Sequence, residues 1–180
     1  GQSINWRKPG TFTVISKANP VTGAIVTEYL RSGGFLVRDI WKIEFENVST
    51  GGPYLWAASA DIDSELYKIS NLGAVGGPAI VNTYTPPGGV YDFSFDRSTV
   101  GGPYVWGALA NAGSISRSLI NAPYSTSVYS VKGTRRSGAL FDGTYLWVSN
   151  LSAQSLTRYR ASDGEKIGDT TLGSGPYHII

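Results

Sequence analysis

The segment Asp61-Ile-Asp63-Ser-Glu65 sets three carboxylates at alternate positions. Calcium takes about six to eight oxygen ligands, so such a cluster is the first place to look for a metal. The glycine that an EF-hand loop uses for its sharp turn is missing, and Leu66 stands there instead. The corresponding loops elsewhere in the chain, Asn111-Ala-Gly113 and Ser152-Ala-Gln154, carry no acids. Asp61, Asp63 and Glu65 therefore stand as a calcium candidate against the plainer reading of a solvated turn. Softer metals have less to hold them. The chain has one histidine, His178, and no cysteine, whereas a zinc site needs about three or four nitrogen or sulfur ligands. Ser-His-Asp catalysis would rest on His178 alone, and no residue is assigned a catalytic role. The run Gly133-Thr-Arg-Arg-Ser-Gly138 has the glycine spacing of a phosphate loop but lacks the Lys-Ser/Thr that follows it. No cofactor is expected.

What positions these residues is a repeat. TGGPYLW at 50–56 returns as VGGPYVW at 100–106, and in shorter form as DGTYLW at 142–147. Phe45 and Phe95 lie 50 residues apart, and Phe95 and Phe141 lie 46 apart. Around each copy the period-2 alternation of a half-buried strand recurs, and no useful length shows a helical period. In the third copy one strand ends at Phe141, and Asp142-Gly143 turns the chain into a second strand at 145–149. A third strand covers 155–160, Asp163-Gly164 turns, and a fourth covers 165–172. The second copy places strands at 90–95, 104–109, 114–120 and 126–131. The first full copy places them at 41–45, 54–59, 65–69 and 79–84. Residues 3–30 resemble 145–172, with Trp6 taken as the counterpart of Trp147, so the chain opens on the second strand of a unit. It finishes on GPYHII, the start of a first strand.

Four short antiparallel strands in each period of about 40–50 residues indicate the blades of a β-propeller. The expected domain is one all-β propeller over 1–180. Its blades run at approximately 1–34, 35–86, 87–132 and 133–174, with 175–180 starting or closing a blade. Two ring closures are open. Either the last strand pairs with the first and the chain closes as a four-bladed ring, or these are about four blades of a larger ring. The absence of methionine and the incomplete final phrase favour the larger ring. In either case the tryptophans at 56, 106 and 147 read as wedges packed between blades, each worth roughly 3 kcal/mol or more on burial.

The phrases FDGTYLWVSN, LTRYRASDGEKIG and GSGPYHI resemble the YVTN-type and streptogramin-lyase-like propeller repeats. The likeness is close over 137–180 and looser over 35–131, where longer linkers replace the short Asp-Gly turn. It implies the propeller fold. The metal-binding set of histidine and acids that the resemblance would imply for a lyase has no matching positions here.

Aligning the first strands of the units superposes Lys42, Asp92, Gly138 and His178; the first three stand three residues before Phe45, Phe95 and Phe141, and His178 stands three before the position that follows the last residue. In a propeller these positions lie near one mouth of the central channel, a common place for ligands. Lys42, Asp92 and His178 are accordingly the candidate ligand-binding residues. The alternative is ordinary variation at a polar surface position.

Bulk composition narrows the function classes. A net charge of +2 over 180 residues gives no electrostatic case for nucleic acid. No window holds the roughly 18 apolar residues of a membrane-spanning helix. Charged residues make up only 16% of the chain, and Ser, Thr, Gly and Tyr are abundant. The expectation is a non-catalytic, extracellular or cell-surface propeller module for binding or assembly, in a surface protein, a filament or a virion appendage. Its expected partners are other protein chains or copies of itself, and carbohydrate. The alternative is a lyase or hydrolase of streptogramin-lyase-like type with its site at the channel mouth.

Overall fold

Alternating apolar and polar residues over stretches of five to seven positions give the chain its strands, and glycine-containing turns separate them. The structure is a computed structural model. It describes residues 3–7, 14–18, 21–22, 25–29, 40–46, 53–59, 65–70, 79–97, 100–110, 113–130, 136–176 and 179. Fifteen strands are formed among these residues, with no helix. No helix among them is long and apolar enough to cross a membrane.

The strands fall into four antiparallel sheets in chain order. The first contains β1 (Ser3–Arg7), β2 (Val14–Ala18) and β3 (Ile25–Tyr29). The second contains β4 (Ile40–Glu46), β5 (Tyr54–Ser59), β6 (Leu66–Ser70) and β7 (Ala79–Tyr84). The third contains β8 (Val90–Asp96), β9 (Tyr104–Leu109), β10 (Ser114–Leu119) and β11 (Thr126–Ser130). The fourth contains β12 (Arg136–Phe141), β13 (Tyr145–Asn150), β14 (Ser155–Arg160) and β15 (Lys166–Thr171). Each is a simple up-and-down meander, as the repeat predicts. The all-β propeller architecture expected from the sequence is the architecture found.

The core lies between sheets. Trp56 and Ala58 of β5 pack with Val90, Phe93, Phe95 and Val105 of the third sheet. Trp106 of β9 packs with Leu146, Val148 and Tyr159 of the fourth. Both tryptophans are fully buried. Aromatic edges and faces fill these layers, with Trp56 stacked on Tyr84 and edge-on to Phe95.

The innermost strands share an irregularity. β4 steps its register between Ile40 and Lys42, β8 between Val90 and Asp92, and β12 between Arg136 and Gly138. Trp41, Tyr91 and Ser137 are thus the extra residues of three equivalent β-bulges. A bulge re-aims the side chains that follow it, and it recurs where a strand must turn toward a site.

Candidate functional site

The three inner strands converge on one polar cluster. Asp92 is only 2% exposed, and its carboxylate is held from three sides. Lys42 Nζ of β4 lies 2.8 Å from Oδ1. The Phe93 N–H donates to the same oxygen at 2.8 Å, and the Ala139 N–H of β12 donates to Oδ2 at 3.0 Å. Lys42 also donates to the Phe93 carbonyl at 2.6 Å and lies 3.3 Å from Glu44 Oε2. One residue pair along, the Phe141 N–H donates to Ser94 Oγ at 3.0 Å. Asp92 therefore ties three successive sheets together at their inner edge. Gly138 completes the fit. A Cβ there would sit 2.9 Å from Ser149 Oγ, 3.1 Å from the Ile179 nitrogen and 3.4 Å from Asp92 Oδ2.

The same contact places Ile179. Its nitrogen would lie 3.1 Å from a Cβ on Gly138, so Ile179 stands beside β12. Of the residues that the sequence set at one channel position, the structure brings Lys42, Asp92 and Gly138 together. His178 lies outside the described residues, as do Asp61 and Asp63. Glu65 is described, and it accepts a hydrogen bond from the Tyr67 hydroxyl. No group of three or more His, Cys, Asp or Glu able to hold a metal forms among the described residues.

Two positions further along the same strand faces, the inner edges part to form an open cleft of about 400 Å³. Glu44, Ser94, Phe95, Arg97, Leu140, Phe141 and Gly143 line it. Glu44 joins this cleft to the ion-paired cluster through Lys42. Arg97 is exposed and stands 5.9 Å from the centre of the Phe95 ring. The cleft thus offers one carboxylate, one guanidinium, one hydroxyl and an apolar floor, a composition suited to holding a small polar ligand with an apolar face. At the bulged end of the inner strands Trp41, 56% exposed, meets Tyr91 edge-on at 4.9 Å.

A second constellation repeats in every four-stranded sheet. Directly opposite each tryptophan on the third strand stands a cation: Lys68 faces Trp56, Arg117 faces Trp106, and Arg158 faces Trp147. Each cation lies over its own sheet's aromatic pair. The distances to the Tyr54, Tyr104 and Tyr145 rings are 4.2, 3.6 and 4.7 Å. An acid ends each inner strand nearby. Trp147 Nε1 donates to Asp142 Oδ2 at 2.7 Å, Trp106 Nε1 points at Asp96 at 3.5 Å, and Glu46 lies 3.9 Å from Lys68 Nζ. Burial lowers the Lys68 ammonium below its usual range, against the opposing pull of Glu46. Burial works against the Asp142 charge, but hydrogen bonds from Tyr145, Trp147 and Thr144 outweigh it and hold this carboxyl below its usual range. Two of the cations also reach the next sheet. Lys68 donates to the Ile120 carbonyl at 2.9 Å and Arg117 to the Ser162 carbonyl at 3.2 Å.

Asn150-Leu151-Ser152 has the form of an N-glycosylation acceptor, but its asparagine is enclosed in the folded chain. Asn150 is buried, and its side-chain oxygen accepts from Ser152 Oγ and the Ala153 N–H, each at 3.2 Å.

No family model matches the chain, and no curated protein matches it. Solved structures do. A streptogramin B lyase superposes with a TM-score of 0.66 at 17% identity, over 94% of this chain and 51% of that one. A putative 6-phosphogluconolactonase from Bacteroides uniformis gives 0.67 at 16%, over 94% and 53%. The WD40 domain of Neurospora crassa Pan2 gives 0.65 at 9%, over 97% and 53%. At such identities the likeness carries the fold alone. The chain spans about half the length of each of these structures, and its fold is that of a β-propeller.

Proposed function

We propose that this chain is a non-catalytic propeller module that works outside the cell and binds a carbohydrate in the cleft between its inner strands. The cleft carries this reading: Glu44 and Arg97 face one cavity over Phe95, Leu140 and Phe141. A sugar ring presents an apolar face to such a floor and hydroxyls to such a carboxylate and guanidinium. Lys42 and Asp92 contribute by position, since their ion pair holds the inner strands in register and keeps Glu44 in place. The low charge and the Ser-, Thr-, Gly- and Tyr-rich composition support an extracellular setting.

The test is binding of the purified chain to immobilised mono- and oligosaccharides, compared with Arg97→Ala and Glu44→Gln. Saturable binding weakened at least tenfold by either substitution, with thermal stability unchanged, supports the reading. No binding to any sugar, or binding indifferent to both substitutions, overturns it. The lyase reading rests on fold likeness to enzymes such as virginiamycin B lyase from Staphylococcus aureus, solved with quinupristin. Loss of intact quinupristin on incubation with this chain, read by mass spectrometry, would favour that alternative instead.

A further inference from the structure

The polar groups of the inner-strand cleft are not equally free to meet a ligand. Lys42, beside it, is spent. An ammonium has three protons to give, and Lys42 Nζ lies 2.6 Å from the Phe93 carbonyl, 2.8 Å from Asp92 Oδ1 and 3.3 Å from Glu44 Oε2. Glu44 is therefore balanced on one oxygen, and among the described residues its Oε1 has no donor. Asp92 is enclosed, and the N–H groups of Phe93 and Ala139 complete its shell.

Arg97 is the opposite case. It is exposed, and among the described residues its partner is the Phe95 ring, 5.9 Å away, with no carboxylate or carbonyl taking its protons. Arg160, also on the surface, is closed by Asp163 and Glu165, and Arg117 donates to the Ser162 carbonyl. Ser94 supplies a second donor in the same cleft. Its Oγ accepts the Phe141 N–H at 3.0 Å, which fixes the oxygen. The hydroxyl proton remains, and no acceptor takes it among the described residues. Below these groups Phe95 is nearly buried, while Leu140 and Phe141 are half-buried and form the floor. The free polar groups are thus a guanidinium and a hydroxyl that donate, and one carboxylate oxygen that accepts.

We infer that the sugar held in this cleft is a uronic acid. Its ring lies over Phe95 and Phe141, its carboxylate meets Arg97 and the Ser94 hydroxyl, and a ring hydroxyl donates to Glu44 Oε1. A carboxylate is planar and has two oxygens, which suits the guanidinium fork in a charge-assisted contact. Glu44 repels the acid and accepts a hydroxyl, so it fixes which end of the ring faces Arg97. The inference rests on the carbohydrate reading of the cleft and adds the acid to it.

Calorimetric titration of the 180-residue chain tests it with glucuronate, galacturonate and mannuronate, each beside its methyl ester and its parent hexose. At least one acid should bind tighter than its ester by roughly tenfold or more, the worth of a hydrogen bond to a charged group. That advantage should shrink as salt rises from about 0.01 to 0.15 M, because Arg97 is exposed and screened. Arg97→Ala should bring acid and ester to one affinity, and Arg97→Lys should restore only part of the difference. Glu44→Gln should weaken both and preserve the ratio. The acid–ester comparison on the wild type needs no variant to fold. Esters and hexoses bound as tightly as the acids overturn the inference and leave the carbohydrate reading standing. A hexose 6-sulfate bound more tightly than every uronate does the same, since a tetrahedral anion is then the better fit. So does a preference for the acid that survives Arg97→Ala. Absence of binding to any sugar, charged or neutral, overturns the carbohydrate reading and this inference with it.

Discussion

Asp92 shows how much one buried side chain does here. Its two oxygens hold an ammonium and two backbone N–H groups drawn from three sheets. Truncation leaves those donors facing an apolar gap, and such losses cost about 3–5 kcal/mol for a fully buried pair. Because Lys42 keeps partial access to water, Asp92→Ala is expected to cost about 2–4 kcal/mol, read as a shift of the urea midpoint. Lys42→Met should cost less, since it leaves both backbone hydrogen bonds to Asp92 in place. A midpoint unchanged by Asp92→Ala would remove the stapling role. Lys68 gives a prediction in pH. Its folded pKa is depressed below 10.5, so between the two values the unfolded chain binds more protons, and stability rises with pH. Wild-type stability relative to Lys68→Met should therefore increase as pH is raised from 8 toward 10. Above that range Tyr84, whose buried phenol is shifted upward, acts in the opposite sense. A relative stability flat across this range would show that burial is not felt by the ammonium.

At the scale of the element, two glycine turns that look alike in sequence behave differently. Asp142-Gly143 and Asp163-Gly164 both carry glycine at positive φ, +102° and +77°. A Cβ at Gly143 meets nothing within 4 Å, whereas one at Gly164 would lie 2.3 Å from the Tyr129 ring of the preceding sheet. Gly143→Ala should cost about 1 kcal/mol from backbone strain alone. Gly164→Ala should cost more, by about 1–3 kcal/mol of overpacking, in thermal or denaturant unfolding. Equal effects would mean that Tyr129 swings aside freely.

The strands, their order and the turns at Asp142-Gly143 and Asp163-Gly164 were legible because alternation and glycine are local signals. The Trp56, Trp106 and Trp147 repeat was legible for the same reason. The cations opposite them had a signal too, since Lys68, Arg117 and Arg158 follow those tryptophans by 12, 11 and 11 residues. It was easily passed over because lysine and arginine on an alternating strand look like ordinary solvent-facing residues. The pairing of Lys42 with Asp92 was not legible beyond a shared alignment column. Position in a repeat says which residues are equivalent, not which equivalents touch across a sheet boundary. The cleft at Glu44 and Arg97 was not legible because Arg97 lies just past the end of β8, where no alternation pattern says which way the side chain turns.

Across the whole molecule, cost depends on place in the row of sheets. Trp56 and Trp147 occupy equivalent strand positions, yet only the first is fully enclosed. Trp56→Ala should cost about 3–5 kcal/mol, as expected for a large aromatic removed from a core. Trp147→Ala should cost at least 1 kcal/mol less because part of its ring already faces water. Equal costs would show that the fourth sheet's outer face is covered after all.

The staples run from one sheet to the next: Lys42 to Asp92, Asp92 to Ala139, Lys68 to Ile120 and Arg117 to Ser162. A polymer whose units bond to their sequence neighbours folds like a one-dimensional lattice, in which order can start at any site and spread in both directions. The third sheet, joined on both sides, is the natural seed. From it, structure would propagate toward each end, and loss of structure would travel inward from the ends. Its slowest-exchanging amides would then mark the kinetic origin of the fold, a property that arises from the connectivity of a few polar side chains and not from the size of any single core.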